Sequence, residues 1–141
     1  MTLVLDASVV AKCLVPEAGS DKSQALLTSW AKGAVGVAAP EILSVEIASM
    51  LWKRATRGLM SAERATFLYE EFAALRIPLE PIGRLLPGAL KVAMRLGRSV
   101  YDSLYVSMAV EMNWGLVTAD EKLFNAVRSS VPGVRLLRDW V

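Results

Sequence analysis

The stretch TLVLDASVV, residues 2–10, decides how the rest of the chain is read. Thr2 to Leu5 is a short β-rich run that stops at Asp6, and Ala7 to Val15 then reads as a helix ended by Pro16. This hand-over puts the Asp6 carboxylate at the carboxyl edge of a sheet and beside a helix N-terminus. Asp6 is therefore either the cap of that helix, since Asp accepts well from the first helical amides, or a group reserved for chemistry.

Outward from this unit the pattern repeats. Ser20 to Lys32 reads as a second helix between Gly19 and Gly33, and Ala34 to Ala38 as a buried strand. Pro40 opens a helix to about Arg57, stopped by Gly58. Ser61 caps a helix reaching about Leu75, with Glu63 in its first turn. Ile77 to Ile82 contains Pro78 and Pro81, so it forms a strand only if short or at an edge. Arg84 to Leu96 and Ser99 to Asn113 read as helices, Leu116 to Thr118 as a strand, Asp120 to Arg128 as a helix and Val134 to Leu137 as a last strand. The alternation predicts an α/β sandwich with a mostly parallel sheet, whose sites lie beyond the carboxyl ends of its strands. No linker composition and no repeat interrupts residues 1–141, so one domain is expected.

Composition excludes much of the usual chemistry. Among 141 residues there is no histidine and one cysteine, Cys13. That removes histidine-based triads, His-ligated or Cys-rich metal sites and internal disulfides, and it fits a reducing compartment. Hydrophobic residues make up 54% of the chain and its mean hydropathy is +0.40. The apolar stretch from Gly33 to Trp52 is long enough to span a bilayer, but it carries Pro40, Glu41 and Glu46. The N-terminus lacks a basic leader and is broken by Asp6 and Lys12, so a soluble cytoplasmic protein is expected.

Four acids stand in unusual places. Besides Asp6, Glu46 lies mid-helix among Ile42, Leu43, Ser49 and Met50 with no basic residue three or four positions away. It is either at the solvent margin of the apolar stripe or turned inward toward a cation. Asp102 follows Ser99 in a capping-box pattern. Asp120 follows the strand ending at Thr118, and Thr118 with Glu121 can supply a capping box that leaves Asp120 free of that task. Carboxylates gathered together repel unless a cation neutralises them. Mg²⁺ or Mn²⁺ does so through oxygen ligands, lowers the pKa of a bound water and steadies charge on a phosphoryl oxygen, which allows phosphodiester hydrolysis without histidine.

At this point the sequence resembles the PIN-domain ribonucleases, and among them the VapC-type toxins. Leu3 to Ser8 is similar to the family's opening strand and acid, and Pro40 to Leu51 to its second block with Glu46 in the acidic place. Tyr101 to Tyr105 and Leu116 to Asp120 are similar to the third and fourth blocks. The resemblance implies a three-layer α/β/α sandwich and a metal-dependent endoribonuclease. It also implies Asp6, Glu46, Asp102 and Asp120 as catalytic acids and metal ligands, with Ser8 and Thr118 orienting them. It further implies a homodimer and a cognate VapB-type antitoxin.

Net charge is +2, but 16 basic residues stand against ten acids outside the proposed cluster, an excess that suits an RNA substrate. Lys53, Arg54 and Arg57 after Glu46, and Lys91, Arg95 and Arg98 before Asp102, are candidate phosphate contacts or else solvated helix faces. Trp30, Met50, Trp52 and Met60 are expected mainly in the core, with some left for a partner surface. Two alternatives remain at this level. One is a catalytically silent PIN scaffold that binds RNA or protein. The other is a phosphatase of the haloacid-dehalogenase type, disfavoured because Ser8 stands where that chemistry wants a second Asp. No Gly-rich fingerprint follows the first strand, so P-loop and Rossmann functions lack support.

Overall fold

A computed structural model describes all residues, Met1–Val141. Five strands form one sheet: β1 (Thr2–Leu5), β2 (Gly36–Pro40), β3 (Leu79–Glu80), β4 (Gly115–Thr118) and β5 (Val134–Leu136). Their order is β3-β2-β1-β4-β5 and every pairing is parallel. The helices are α1 (Ala7–Leu14), α2 (Ser20–Ala31), α3 (Ile42–Thr56), α4 (Ala62–Ala74), α5 (Leu86–Leu96), α6 (Val100–Met112) and α7 (Glu121–Val127). The result is the α/β sandwich with a parallel sheet expected from the alternation, in the three α/β/α layers that the resemblance implies.

The chain leaves β1 toward β2 on one side and returns to β4 on the other, so β1 and β4 flank the point where the winding direction reverses. In open parallel sheets ligands bind in the crevice at such a point. The register sets Leu5 opposite Val117, which brings Asp6, just after β1, and Thr118, the last residue of β4, side by side.

Covering both sheet faces with helices buries the central strands completely, and Leu3, Val4, Leu5, Leu116 and Val117 are at most 1% exposed. Helix α6 lies across β1, β2 and β4 and is itself covered by α5. Consequently Ser103 through Ala109 are buried all round, including Ser103 and Ser107. Gly88 makes the close approach of α5 possible, since a Cβ there would stand 2.7 Å from Ser107 Oγ.

One element differs from the sequence expectation. Pro40 ends β2 and does not open α3, which starts at Ile42. The ladder to β3 uses the amides on either side of it: Ala39 N donates to Pro78 O and Glu41 N to Glu80 O. Proline's missing donor falls between them, beyond the last β1 pairing at Ala38, where no acceptor needs it. Of the four apolar residues expected mainly in the core with some left over, Trp30, Met50 and Met60 pack part-buried against it, and Trp52 is the one left, 63% exposed. Trp52 borders an apolar groove between α3 and α4 with Ala48, Ala55, Ala65 and Tyr69. No helix is long and apolar enough to cross a membrane.

Candidate active site

Asp6 occupies the N-cap position of α1 but does not cap it. Its carboxyl turns instead into the β1/β4 crevice, where the Ser8 hydroxyl donates to Oδ2 at 2.6 Å and the Thr118 hydroxyl donates to the same oxygen at 2.8 Å. Both hydroxyls are tied down in turn. Ser8 Oγ accepts from Ala119 N, and Thr118 Oγ1 accepts from Asp120 N, each at 3.0 Å. The two connections following β1 and β4 are thus stitched together through one carboxylate oxygen. Asp6 is only 6% exposed. Burial, above all, pushes its carboxyl above the ordinary carboxylate range; the nearby charge of Asp102 adds to this, and the two hydroxyls offset part of it.

Glu46 enters from α3. It is half-buried, with no basic partner, and its Oε1 accepts a 2.6 Å hydrogen bond from the hydroxyl of Tyr105 on α6. Tyr105 itself is fully buried. Burial raises the Glu46 carboxyl too, with the charges of Asp6 and Asp102 adding and the Tyr105 hydrogen bond opposing. Glu46 thus takes the inward of the two orientations open to it, beside Asp6 and Asp102. Tyr105 was not singled out from the sequence, although its position three residues after Asp102 places it on the same helical face.

Asp102 lies in the first turn of α6. Ser99 caps that helix by accepting from Asp102 N at 3.0 Å, but the reciprocal half of a capping box does not form. The Asp102 carboxylate goes to Arg98, whose Nη2 donates to Oδ2 at 2.8 Å. Asp120 corrects the expectation that it is free of capping: its Oδ1 accepts from Lys122 N at 2.9 Å and Leu123 N at 3.2 Å, making it the N-cap of α7. The Thr118 hydroxyl, which donates to Asp6, accepts from Asp120 N, ahead of the helix, and so does not take that place. The other oxygen of Asp120, Oδ2, lies 3.5 Å from Arg98 Nη2.

Three helix N-termini, of α1, α6 and α7, therefore converge with their acids at the carboxyl ends of β1 and β4, and their dipoles favour negative charge there. As the side chains stand, no three carboxyl groups are disposed to hold one ion together. Arg98 engages two of them. Its chemistry aside, the donor set consists of carboxylate oxygens with hydroxyls behind them, which suits a hard divalent ion and no soft one.

The basic residues separate into two groups. Lys53, Arg54 and Arg57 line a groove of about 400 Å³ with Glu46 and Ser49. Arg54 is engaged there by Glu17 at 3.1 Å, and Glu17 also takes Lys12 at 3.0 Å. Lys91 and Arg95 are exposed on α5. Arg98, a candidate phosphate contact or else part of a solvated face on the sequence reading, takes neither place and is committed to Asp102 and Asp120.

A doubly wound parallel sheet with acids gathered at its reversal point defines an α/β protein built around a carboxylate centre. The PIN domain profile matches residues 3–129, and the chain belongs to the PIN domain family. It is 32% identical over 127 residues to Ribonuclease VapC3 of Pyrobaculum aerophilum, a match covering 87% of this chain and 92% of the relative. Among solved structures, the fold resembles PAE2754 from the same organism, with a TM-score of 0.73, 24% identity and coverage of 98% of this chain and 93% of that one. It also resembles VapBC2 from Rickettsia felis, solved bound to a DNA fragment from their promoter, with a TM-score of 0.69, 18% identity and coverage of 96% and 97%.

Proposed function

We propose that this protein is a Mg²⁺- or Mn²⁺-dependent endoribonuclease, the toxin of a toxin–antitoxin pair. The observation that carries the reading is the unpaired, buried Asp6 carboxyl in the β1/β4 crevice, facing the charges of Asp102 and Glu46. Such a group is unfavourable to ionise unless a cation neutralises it. The likeness to Ribonuclease VapC3 supplies the substrate class.

Asp6 and Asp102 would hold the ion, with Glu46 and Asp120 completing its surroundings. Bound there, Mg²⁺ or Mn²⁺ supplies neutralisation of phosphoryl charge and the acidity that makes water a nucleophile at neutral pH. The chain's own residues do the placing. Ser8 and Thr118 fix the rotation of the Asp6 carboxyl by occupying Oδ2, so Oδ1 receives neither hydroxyl. Tyr105 holds Glu46 toward the acids. Lys53 and Arg57 offer unpaired cations along the groove that begins at Glu46, a track for the phosphates flanking the scissile bond.

Two apolar surfaces support the partner side of the reading. The groove beside Trp52 suits an apolar antitoxin segment. Leu86, Leu90 and Met94 form an exposed stripe at four-residue spacing on α5, which suits a second copy of the chain. Incubating the purified protein with structured RNAs in Mn²⁺, then in EDTA, tests the activity. Cleavage that requires the ion and is lost in Asp6→Asn is expected; cleavage that persists in EDTA sinks the metal mechanism, and binding without cleavage points to a silent scaffold.

A further inference from the structure

Arg98 sits in the tight connection between α5 and α6. Gly97 ends α5 in the left-handed region at φ +66°, and Ser99 caps α6 immediately afterwards, so the single residue between them is aimed by both. Its guanidinium spans the two acids that begin α6 and α7, at 2.8 Å from Asp102 Oδ2 and 3.5 Å from Asp120 Oδ2. The Nε of the same side chain is buried without a hydrogen-bond partner. A permanent structural arginine normally has its donors satisfied, because an orphaned buried donor is unfavourable. One strong contact, one long contact and one orphan donor describe a cation held by charge and readily exchanged.

We propose that Arg98 is a positioning residue that acts as the built-in competitor of the divalent ion. It holds Asp102 and Asp120 in place through Nη2, and it must release those oxygens before an ion takes them, so it sets the metal affinity of the centre. The proposal rests on the reading of these acids as the metal site. Arg98 neutralises carboxylates that would otherwise repel, which keeps the start of α6 and the start of α7 together when no ion is bound. The same contact weakens ion binding, because two cations contend for the same oxygens.

The test is Mn²⁺ binding by calorimetry to wild type, Arg98→Gln, Arg98→Lys and Asp6→Asn. Arg98→Gln, which keeps length and polarity without charge, is expected to bind Mn²⁺ on the order of three- to tenfold tighter than wild type, with Arg98→Lys between them. Unchanged or weaker binding in Arg98→Gln, alongside wild-type binding that depends on Asp6, overturns the proposal and leaves the metal reading intact. Absence of Asp6-dependent binding in every variant overturns both. Should Arg98→Gln fail to fold, wild type decides the matter: the Arg98 Nε–H resonance, assigned by its proximity to α6, is expected to be protected from water exchange and to lose that protection on titration with Mg²⁺. A resonance unmoved at saturating Mg²⁺ overturns the proposal.

Discussion

The hydroxyl of Tyr105 donates a 2.6 Å hydrogen bond to Oε1 of Glu46, joining a fully buried ring on α6 to a half-buried carboxylate on α3 across 59 positions of sequence. It is the one side-chain hydrogen bond Glu46 makes, and it determines which way that acid points. Tyr105→Phe removes the donor and keeps the ring. A stability loss of about 1 kcal/mol is expected by urea denaturation, since Glu46 is open enough to recover water. RNA cleavage is expected to fall by on the order of tenfold. Because the hydrogen bond holds the Glu46 carboxyl down, its loss raises that group further, so the acid limb of the pH–rate profile moves to higher pH. An unchanged profile would mean that Tyr105 is only packing.

The raised Asp6 and Glu46 carboxyls make a stability prediction with a definite sign. Between the ordinary carboxylate pKa of about 4 and the higher folded value, the native state binds more protons than the unfolded chain. Stability in EDTA is therefore expected to fall as pH rises through that window and to stay low above it. Mg²⁺, which binds the ionised form, is expected to restore it. Asp6→Asn removes the more deeply buried of the two carboxyls, so its Tm in EDTA at pH 7 should exceed that of wild type while its metal response disappears. Melting curves between pH 4 and 8 check both signs.

Thr118→Val tests the stitch between β1 and β4. The hydroxyl is wholly buried, donates to Asp6 and accepts from Asp120 N. An isosteric methyl leaves both partners short, and a loss of about 1–3 kcal/mol is expected by chemical denaturation. Ser8→Ala should lose less, because Ser8 is only part-buried.

Lys53→Ala and Arg57→Ala are each expected to weaken RNA binding and to lower the dependence of log affinity on log salt by about 1. Arg54→Ala should do less, since Glu17 already neutralises Arg54 in the folded protein. Binding titrations at several salt concentrations, performed on Asp6→Asn to prevent cleavage, separate these cases.

Gly88→Ala puts a methyl 2.7 Å from Ser107 Oγ in the α5–α6 contact. Crowding of about 1–3 kcal/mol is expected to outweigh the better helix propensity of alanine. Adding Ser107→Ala removes the crowded atom, and the double variant should be more stable than Gly88→Ala alone.

Much of this molecule was legible locally. The β-run Thr2–Leu5 meeting an apolar helix at Asp6, the caps at Ser61 and Ser99, and Gly58 as a stop are interactions among residues within one turn of each other, so periodicity and capping chemistry report them directly. The same locality explains why Pro40 misled: proline opens helices well, and only the arrival of β3 from 40 positions away shows that its missing donor is tolerated at a strand end.

The sequence by itself determined the α/β class, offered Asp6, Glu46, Asp102 and Asp120 as candidate acids and, through the absence of histidine, removed imidazole from any chemistry they could do. Tertiary structure alone decided what each acid does. Asp6 and Asp120 look alike as strand-following acids at helix starts, yet one gives its carboxylate to the crevice and the other caps α7. The β1–β4 register carries the Thr118 hydroxyl to Asp6, to which it donates, while the same oxygen accepts from Asp120 N and leaves the amides of Lys122 and Leu123 to the Asp120 carboxylate. Arg98 likewise reads as a phosphate contact or a solvated cation until the α5–α6 turn delivers it between Asp102 and Asp120. Charges and hydroxyls act over a few ångströms of space, and which groups fall within that distance is settled by strand register and helix packing rather than by neighbours in the chain.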